Sequence, residues 1–588
     1  MKTERSILYM HILSLVPAIA FFFIYTAYDT FSIVLLLILV LLLTFNVYFY
    51  LSKKKMIEKL LLVSLVGSFF LYAFYGLGSH NVPETYSDLK DGDTVTLFSF
   101  KKPSKIDQMC YFVGINRDVH FNMEYQQGNQ WKNFYAYTEK NFPYSYQWRC
   151  HKKKVMTSKI LLRITRNEMM LNEVRFMYKD KVIPYRTNTK NLDDEPDTIV
   201  DKTYYTSMFF DEIYHGRTAF EILDTRTIYE NTHPYLGKII LMQGIKLFGM
   251  NPFGWRMMNV MFAGLMIVIF YLLAREIFKE KHYAYTAAFL MTYSFMHFTQ
   301  SRLAHIDTFG VLFVISSYLF LYRFIVQQKL SLLLISGVFF GLASAVKWSA
   351  VFASLGFVLI AFYLLISKYP LQKRFSGYKL LLYGILAYGV VAISVYGFTF
   401  YDIYARTGSI QSIIDYNFNM FNYHSGIVTT HAYSSPWWSW MLNMKPMCYY
   451  RDIKDGLFSA IDVFGNPAIF WTGFIAMLYV LIIVIRKFSL EATFILLAFL
   501  GLYLPYIFVG RLMFIYHFYY AMPFMVLGII YLLRDITNHF SWYKKEYTLI
   551  YLGLVIALFL AFYPVLSGTP VAKPYVDDYL VWFKGWWL

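Results

Sequence analysis

The sequence predicts a polytopic α-helical membrane protein with about 13 transmembrane helices and one inserted extracytoplasmic β-domain. Only 15% of the 588 residues are charged and 57% are hydrophobic, whereas soluble domains carry about 25% charged residues. Apolar runs of about 18 residues or more recur along the chain, and such a run is long enough to span a bilayer. A polar stretch at 83–200 interrupts them with short apolar segments and turn residues, which is typical of antiparallel β-structure.

The apolar runs give the individual spans, whose order and spacing set the topology. The predicted spans lie near residues 6–27, 31–51, 60–77, 253–274, 283–299, 305–325, 331–347, 349–366, 380–400, 466–485, 489–508, 512–533 and 547–566. Three helices therefore occupy residues 1–82. The remaining helices lie in a membrane domain at 201–588, whose long loops are 201–252 and 401–465.

The net charge of +17 resides mainly in loops between apolar runs. Cytoplasmic loops of membrane proteins carry such an excess of lysine and arginine, so the charge does not indicate nucleic-acid binding. An odd number of spans then places the C-terminus outside, together with residues 79–252 and 401–465. The predicted location is the plasma membrane, with the long loops on its outer side.

The inserted domain at 83–200 is predicted to be a jelly-roll-like β-sandwich. Its predicted strands lie near 94–100, 109–115, 119–125, 158–165 and 173–178. The aromatic side chains of the domain either stack on sugars or, as is more usual in strands, fill its core; they are Trp131, Tyr135, Tyr137, Tyr146 and Trp148. Cys110 and Cys150 form a disulfide only if the domain lies outside, and the sequence leaves that pairing open.

Two adjacent carboxylates, Asp211 and Glu212, follow the inserted domain within Met208–Arg217. A carboxylate just outside the membrane suits a general base that takes a proton from an acceptor hydroxyl. Neighbouring residues on a helix diverge by roughly 100°, so we expect one carboxylate to be the base and the other to pair with a cation. A solvated acidic pair is the alternative interpretation.

A second segment, Thr232–Lys238, contains His233, Pro234 and Lys238. Proline is favoured at the start of a helix, and apolar residues at helical spacing predict a helix over Leu236–Phe248 that lies in the membrane interface. His233 is either a site residue or a packing residue. No other His, Asp or Cys stands at a metal-ligand spacing from it, so we predict no metal site.

Cations at the predicted outer ends of the spans suggest an anion site. Arg302 could pair with Asp307 or grip a lipid phosphate, and Lys347 either contributes to the same site or extends its ammonium group to the interface. Arg256 is the third cation of this group. Further candidates for donor or acceptor binding lie at the same predicted face: Trp348, His424, His431, Trp437 and Arg511.

Taken together, these segments resemble the protein O-mannosyltransferase family of the GT-C class. The resemblance covers residues 205–588 and rests on several motifs in order. Tyr235 departs from the family pattern, which has a second proline there. The motifs are Phe210–Glu212, His233–Lys238, Asn251–Arg256, Gln300–Asp307, Lys347–Trp348, Ser435–Trp440 and Phe562–Gly568.

The resemblance implies an inverting transfer of a sugar, expected to be mannose, from a polyprenyl-phosphate donor to a hydroxyl group. Asp211 would be the base with Glu212 beside it, and Arg302 and Lys347 would hold the phosphate. The implied reaction uses neither a cofactor nor a metal. Residues 1–205 have no counterpart in the family pattern, and loop 401–465 is too short for the β-trefoil of eukaryotic members, which points to the bacterial branch.

Three functions follow from these observations. The first is the glycosyltransferase, whose acceptor is either Ser/Thr of a protein or a cell-envelope glycan. The alternative is a transporter or flippase of lipid-linked sugars, which predicts ionisable groups deep in the spans. The third is a membrane-anchored carbohydrate-binding protein, which would leave Asp211 without a role. The expected partners are the membrane, the lipid donor and the acceptor, with a homo-oligomer left open.

Overall fold

The computed structural model describes residues 57–93, 95–138, 145–367, 369–487, 489–539 and 545–588. The predicted spans near 6–27 and 31–51 lie outside these residues. The chain divides into two compact units. We call residues 76–229 and 241–256 the β unit, and the described residues up to 75 with 230–240 and 257–588 the membrane unit.

Within the described ranges, seven helices are long and apolar enough to cross a membrane, and two shorter apolar helices accompany them. All nine coincide with predicted spans. Leu382 and Ile393 on helix Tyr378–Phe398 are 58% and 69% exposed, as expected where a helix contacts lipid. The seven are Pro252–Phe278, Asp307–Gln327, Trp348–Ile366, Tyr378–Phe398, Pro467–Lys487, Leu490–Phe508 and Glu546–Ser567, and the two are Leu60–Phe74 and Leu330–Val346.

Two predicted spans are not single helices. The span at 283–299 consists of helices Lys281–Thr292 and Phe295–Ser301. Side chains elsewhere in the membrane unit bind the carbonyls at the break: the Tyr72 hydroxyl donates to Thr292 O and Asn466 Nδ2 donates to Tyr293 O. Hydropathy cannot predict such a break, because its cause is a tertiary contact.

The span at 512–533 also changes character along its length. It begins with a 3₁₀ segment, Ile515–Tyr520, and continues as helix Met522–His539. Pro523 is the second residue of that helix, where a missing backbone N–H costs no intrahelical bond. The helix therefore starts about ten residues later than the apolar run predicts.

The β unit contains a six-stranded antiparallel sheet in the order β1-β4-β2-β3, with β5 beside β4 and β6 beside β2. Two strands of 32 residues each dominate it, so the five short predicted strands are segments of β2 and β4. Register shifts bend these strands without ending them. The bounds are β1 Ser87–Lys90, β2 Thr96–Gln127, β3 Gln130–Tyr137, β4 Gln147–Tyr178, β5 Lys181–Ile183 and β6 Arg186–Thr187.

The aromatic side chains of this domain mostly fill its core. Tyr137, Tyr146 and Trp148 are buried, and Tyr135 stacks on His151. Only Trp131, of the five aromatic residues considered above, is exposed. Packing, not sugar stacking, therefore accounts for most of this group.

Cys110 and Cys150 form a disulfide between β2 and β4, where they stand directly opposite each other. Cys448 is a free thiol. Disulfides persist in oxidising compartments and are rare in the cytosol. The pairing that the sequence left open is thus present in the structure.

The loop at 401–465 is structured throughout much of its length. Helices Tyr401–Thr407 and Ile410–Gly426 precede a hairpin of β7 (Met447–Lys454) and β8 (Leu457–Val463), and β9 (Val571–Ala572) joins β8 from the C-terminal segment. These elements are hard to predict from hydropathy, since they are short and mix polar with aromatic residues.

Candidate active site

The acidic pair lies at the start of helix Glu212–Leu223 in the β unit. Asp211 is the N-cap residue and is half-buried, whereas Glu212 is fully buried. Phe210 before them has a φ of +49°, a left-handed conformation that is strained for an aromatic residue. This turn sets the direction in which the helix, and with it the acidic pair, leaves the preceding loop.

Glu212 is held by the motif Asn251–Arg256. Arg256 Nε and Nη2 donate to the two carboxylate oxygens of Glu212, each at 2.7 Å. Trp255 Nε1 donates to the same carboxylate at 3.3 Å. Asn251 starts the helix by accepting a hydrogen bond from Gly254 N at 2.9 Å, and Pro252 follows it, as is favoured at a helix start.

Arg256 is therefore committed to bonds within the β unit. Its remaining donors bind the carbonyls of Leu77 and Ser207 at 2.7 and 2.9 Å, and its side chain is fully buried. This is the arrangement expected when one of two adjacent carboxylates pairs with a cation. The prediction that Arg256 binds the phosphate is therefore wrong for this structure, because its guanidinium binds the Glu212 carboxylate.

Arg302, in the membrane unit, donates hydrogen bonds to carbonyls at the end of helix Ile57–Phe74. Its Nη1 donates to the carbonyls of Ala73 and Tyr75 at 2.6 and 2.7 Å, and its Nη2 lies 3.4 Å from Ser567 O. The last carbonyls of a helix lack intrahelical partners, and helix Ile57–Phe74 ends here. The bonds explain why the sequence carries motifs at both Arg302 and Ser567, and a phosphate would have to compete with these carbonyls.

Lys347 and Asp307 form a buried ion pair in the membrane unit. Lys347 Nζ lies 3.0 Å from Asp307 Oδ2, and His305 Nδ1 lies 2.9 Å from the same oxygen. The structure thus joins two residues that the sequence had placed at one membrane face. His305 is a partner that sequence reasoning missed, although it stands two residues before Asp307.

The segment around His233 wraps a buried lysine. Lys238 Nζ donates to Glu230 Oε2 at 2.6 Å, His233 O at 3.0 Å and the Tyr416 hydroxyl at 2.9 Å. His233 Nδ1 lies 3.0 Å from the Glu230 carboxylate. The helix that carries Lys238 has the predicted bounds, Leu236–Phe248. Glu230 had not been recognised, because nothing in its local sequence marks it as the counter-ion.

His424 joins this segment to Arg511. Its Nε2 bonds to Thr232 O at 2.7 Å, while its Nδ1 lies 2.9 Å from Arg511 Nη1. An Nδ1 that accepts from a guanidinium must be unprotonated. Burial first, and then the charges of His233 and Arg511, lower the pKa of His424 to about 4.

Arg511 is more accessible than three cations described above: Arg256, Arg302 and Lys347 are buried, whereas Arg511 is half-buried. In the part of the chain that the structure describes, its guanidinium bonds to His424 and forms no ion pair with a carboxylate. Lys347 contributes to the same positive potential at His424. A partly exposed guanidinium beside a neutral imidazole is suited to binding a phosphate group.

The other predicted site residues have ordinary packing contacts. Trp348 Nε1 donates to the Tyr396 hydroxyl at 3.1 Å. Trp437 O accepts a hydrogen bond from the Tyr503 hydroxyl at 2.8 Å. His431 is exposed, and its ring contacts Phe514 edge-on at 5.2 Å.

Comparison with known proteins agrees with this architecture. Residues 232–396 match the family model described as dolichyl-phosphate-mannose-protein mannosyltransferase. Residues 409–586 match the model of the C-terminal four-transmembrane region of protein O-mannosyltransferase. Both models describe the same kind of enzyme, and they meet the chain on either side of the helix at 401–407.

Curated relatives and a solved structure extend the match. A polyprenol-phosphate-mannose--protein mannosyltransferase of Mycobacterium tuberculosis is 23% identical over 450 residues, which cover 64% of this chain and 86% of the relative. The corresponding protein of Corynebacterium glutamicum is 25% identical over 422 residues, with coverages of 60% and 81%. The S. cerevisiae Pmt1-Pmt2 complex has a TM-score of 0.57 at 13% identity, covering 64% of this chain and 88% of that chain.

The two family models and the fold together define a multi-pass membrane glycosyltransferase of the GT-C class. The chain belongs to the protein O-mannosyltransferase family, in its bacterial branch. The predicted polytopic helical GT-C fold with a separate sheet domain, the family and the enzyme class are thereby confirmed, and the family favours the enzyme over the transporter.

Proposed function

We propose that the protein transfers mannose from a polyprenyl-phosphate donor to a Ser or Thr hydroxyl of a protein acceptor. Two curated relatives carry the name of this activity. The observation that carries the residue assignment is the Glu212–Arg256 pair. Because Arg256 binds both carboxylate oxygens of Glu212, we assign the role of base to the neighbouring residue Asp211, at the start of the helix.

In the proposed reaction, the Asp211 carboxylate takes the proton of the acceptor hydroxyl. The acceptor oxygen then forms a bond to C1 of mannose while the bond from C1 to the phosphate oxygen breaks. The configuration at C1 inverts, and polyprenyl phosphate leaves with its negative charge. The transfer needs no metal ion in this scheme, since protein cations stabilise the leaving phosphate.

We assign the phosphate to Arg511, with Lys347 contributing to the potential. Arg511 is partly exposed and bonds to a neutral histidine, whereas Lys347 is paired with Asp307. A guanidinium can grip a phosphate with two parallel hydrogen bonds. Charge-assisted bonds of this kind contribute about 1.5–3 kcal/mol each, which is enough to position a lipid headgroup.

We also propose that the acidic pair faces the outer side of the plasma membrane. The disulfide between Cys110 and Cys150 lies in the same unit as Asp211, and disulfides are rare in the cytosol. The basic loops at the opposite ends of the spans support the same orientation.

Replacement of the proposed base tests the assignment. Asp211→Asn should lower the rate of mannose transfer from purified polyprenyl-phosphate mannose to a Ser/Thr peptide by roughly 10²- to 10⁴-fold. The asparagine carries no proton-accepting group, so the transfer step should be lost. Donor binding should persist, because asparagine keeps the shape of the side chain. Asp193→Asn, at an exposed position in the β unit, is the matched control. A transfer rate for Asp211→Asn equal to that of the control would remove Asp211 as the base.

A further inference from the structure

A cavity of about 980 Å³ lies within the β unit and has no role in the function proposed above. One wall is helix Glu212–Leu223, which contributes Ile213, Tyr214 and Arg217. Most of the remaining lining belongs to strands β1, β2 and β4 and to the segment Thr227–Tyr229 that follows the helix. The volume is in the range of small-molecule sites, about 300–1,000 Å³.

Two tyrosine rings form a platform in this cavity. The rings of Tyr214 and Tyr229 are parallel to within 3°, with their centroids 6.3 Å apart. Their side chains are 40% and 54% exposed, so both rings remain accessible to a ligand. Tyrosine rings offer an apolar face and a polar hydroxyl at once, which suits a ligand that has both kinds of surface.

A buried carboxylate, Glu221, orders the Tyr229 side of the platform. Glu221, which is fully buried, accepts a bond from Arg217 Nε at 2.9 Å and from Tyr229 N at 2.7 Å. The Arg217 guanidinium in turn lies 3.9 Å from the centre of the Tyr229 ring. A ligand that stacks on Tyr229 therefore meets a surface already ordered, which lowers the entropic cost of binding.

Polar side chains surround the platform, and their charges balance. Three acidic and three basic residues line the cavity together with two asparagines. A neutral balance disfavours a phosphate or nucleotide, while paired donors and acceptors suit neighbouring hydroxyl groups. The residues are Asp91, Asp118, Glu168, Lys90, Arg117, Arg217, Asn116 and Asn167.

The cavity offers little to a bare polypeptide. A peptide that adds to a sheet needs a row of unpaired backbone groups. At the end of β1, Lys90 N already donates to Asp93, and Asp91 N donates to Asn167 O. Recognition in this cavity must therefore come from side chains and rings rather than from a free strand edge.

We propose that this cavity is a saccharide-binding site that holds a sugar already present on the acceptor. A pyranose ring would stack on Tyr214 and Tyr229, and the surrounding side chains would bind its hydroxyls. The sugar could belong to a glycosylated protein or to a cell-envelope glycan, which share this chemistry. The inference rests on the proposed function, which supplies the acceptor and places the catalytic base at the start of the same helix.

The cavity lies close to the proposed catalytic base. Tyr214 N donates to Asp211 O at 3.0 Å, and the step of three residues from Asp211 to Tyr214 corresponds to a rise of about 4.5 Å along the helix. A sugar on the platform would thus lie about one helical turn from the proposed base. Binding there would direct transfer to hydroxyl groups close to an existing sugar.

Binding measurements on the full-length Asp211→Asn protein in detergent test the site separately from catalysis. The probes are a Ser/Thr peptide carrying one O-linked mannose, the same peptide without it, and a panel of free hexose oligosaccharides that includes mannotriose. We expect the mannosylated peptide to bind about tenfold more tightly than the bare peptide. If a free oligosaccharide binds as tightly as the mannosylated peptide, the natural ligand is a glycan. If only the mannosylated peptide binds, the natural ligand is a glycoprotein.

Variants of the platform locate the site. Tyr214→Ala and Tyr229→Ala should each weaken saccharide binding about tenfold, whereas Tyr229→Phe should retain it because the ring remains. Trp131→Ala removes an exposed aromatic residue of the same unit that does not line the cavity, and it should bind like the parent. Equal binding of both peptides, binding of no saccharide at millimolar concentration, or an effect of Trp131→Ala as large as that of Tyr229→Ala would overturn the proposal.

Discussion

Glu212 and Arg256 form a bidentate ion pair from which solvent is fully excluded. Both nitrogen–oxygen distances are 2.7 Å, and neither side chain has exposed surface. The pair lies one residue from Asp211 and therefore fixes the start of the helix that carries the proposed base. Loss of this ion pair should therefore lower both the stability of the β unit and the rate of mannose transfer.

Breaking this pair should destabilise the protein strongly. Arg256→Met leaves the Glu212 carboxylate buried without its cation, and such changes cost roughly 3–5 kcal/mol. Thermal unfolding of the purified protein in detergent, followed by tryptophan fluorescence, measures the loss as a lowered midpoint. Arg226→Met, which breaks a partly exposed pair with Asp88, is the control and should cost less. Similar midpoints for the two variants would contradict the prediction.

Lys347 and Asp307 should show strong coupling in a double-mutant cycle. Asp307→Asn and Lys347→Met each leave one polar group of a buried pair unmatched, so the double variant should be more stable than the sum of the single changes predicts, by more than about 1 kcal/mol. Thermal unfolding gives the stability, and donor binding gives a second reading. If Lys347 also contacts the lipid phosphate, the double variant should regain stability without regaining donor affinity. Additive effects on stability would show that the pair is not coupled.

Stability should fall as the pH drops from about 6.5 towards 4 because of His424. Burial, His233 and Arg511 lower its folded-state pKa to about 4, whereas the unfolded value is about 6.5. Between these values the unfolded chain binds a proton that the folded protein excludes, so acid favours unfolding. His424→Gln should flatten the decline in unfolding midpoint between pH 7 and pH 5. His431→Gln, at an exposed position, should keep the wild-type slope, and an unchanged slope in His424→Gln would refute the assignment.

Apolar runs made most of the membrane helices predictable. A stretch such as Asp307–Gln327 is mostly apolar, and hydrocarbon accepts only backbone that satisfies its own hydrogen bonds. The breaks at 293–294 and 521 were not predictable, since their causes are partners distant in sequence and a local proline. The sequence predicts short strands that are segments of β2 and β4. That these segments are continuous depends on register shifts, and such bulges have no clear sequence signal.

Sequence patterns identify the residue types at the candidate site: adjacent carboxylates, three cations near span ends and a histidine segment, in the order of one enzyme family. How these residues pair depends on the tertiary structure. It paired Glu212 with Arg256, Lys347 with Asp307 and Lys238 with Glu230. Composition cannot select among such partners, because a charge buried in a medium of low dielectric constant requires a counter-ion at bonding distance, and that distance is set by the packing of segments far apart in the chain.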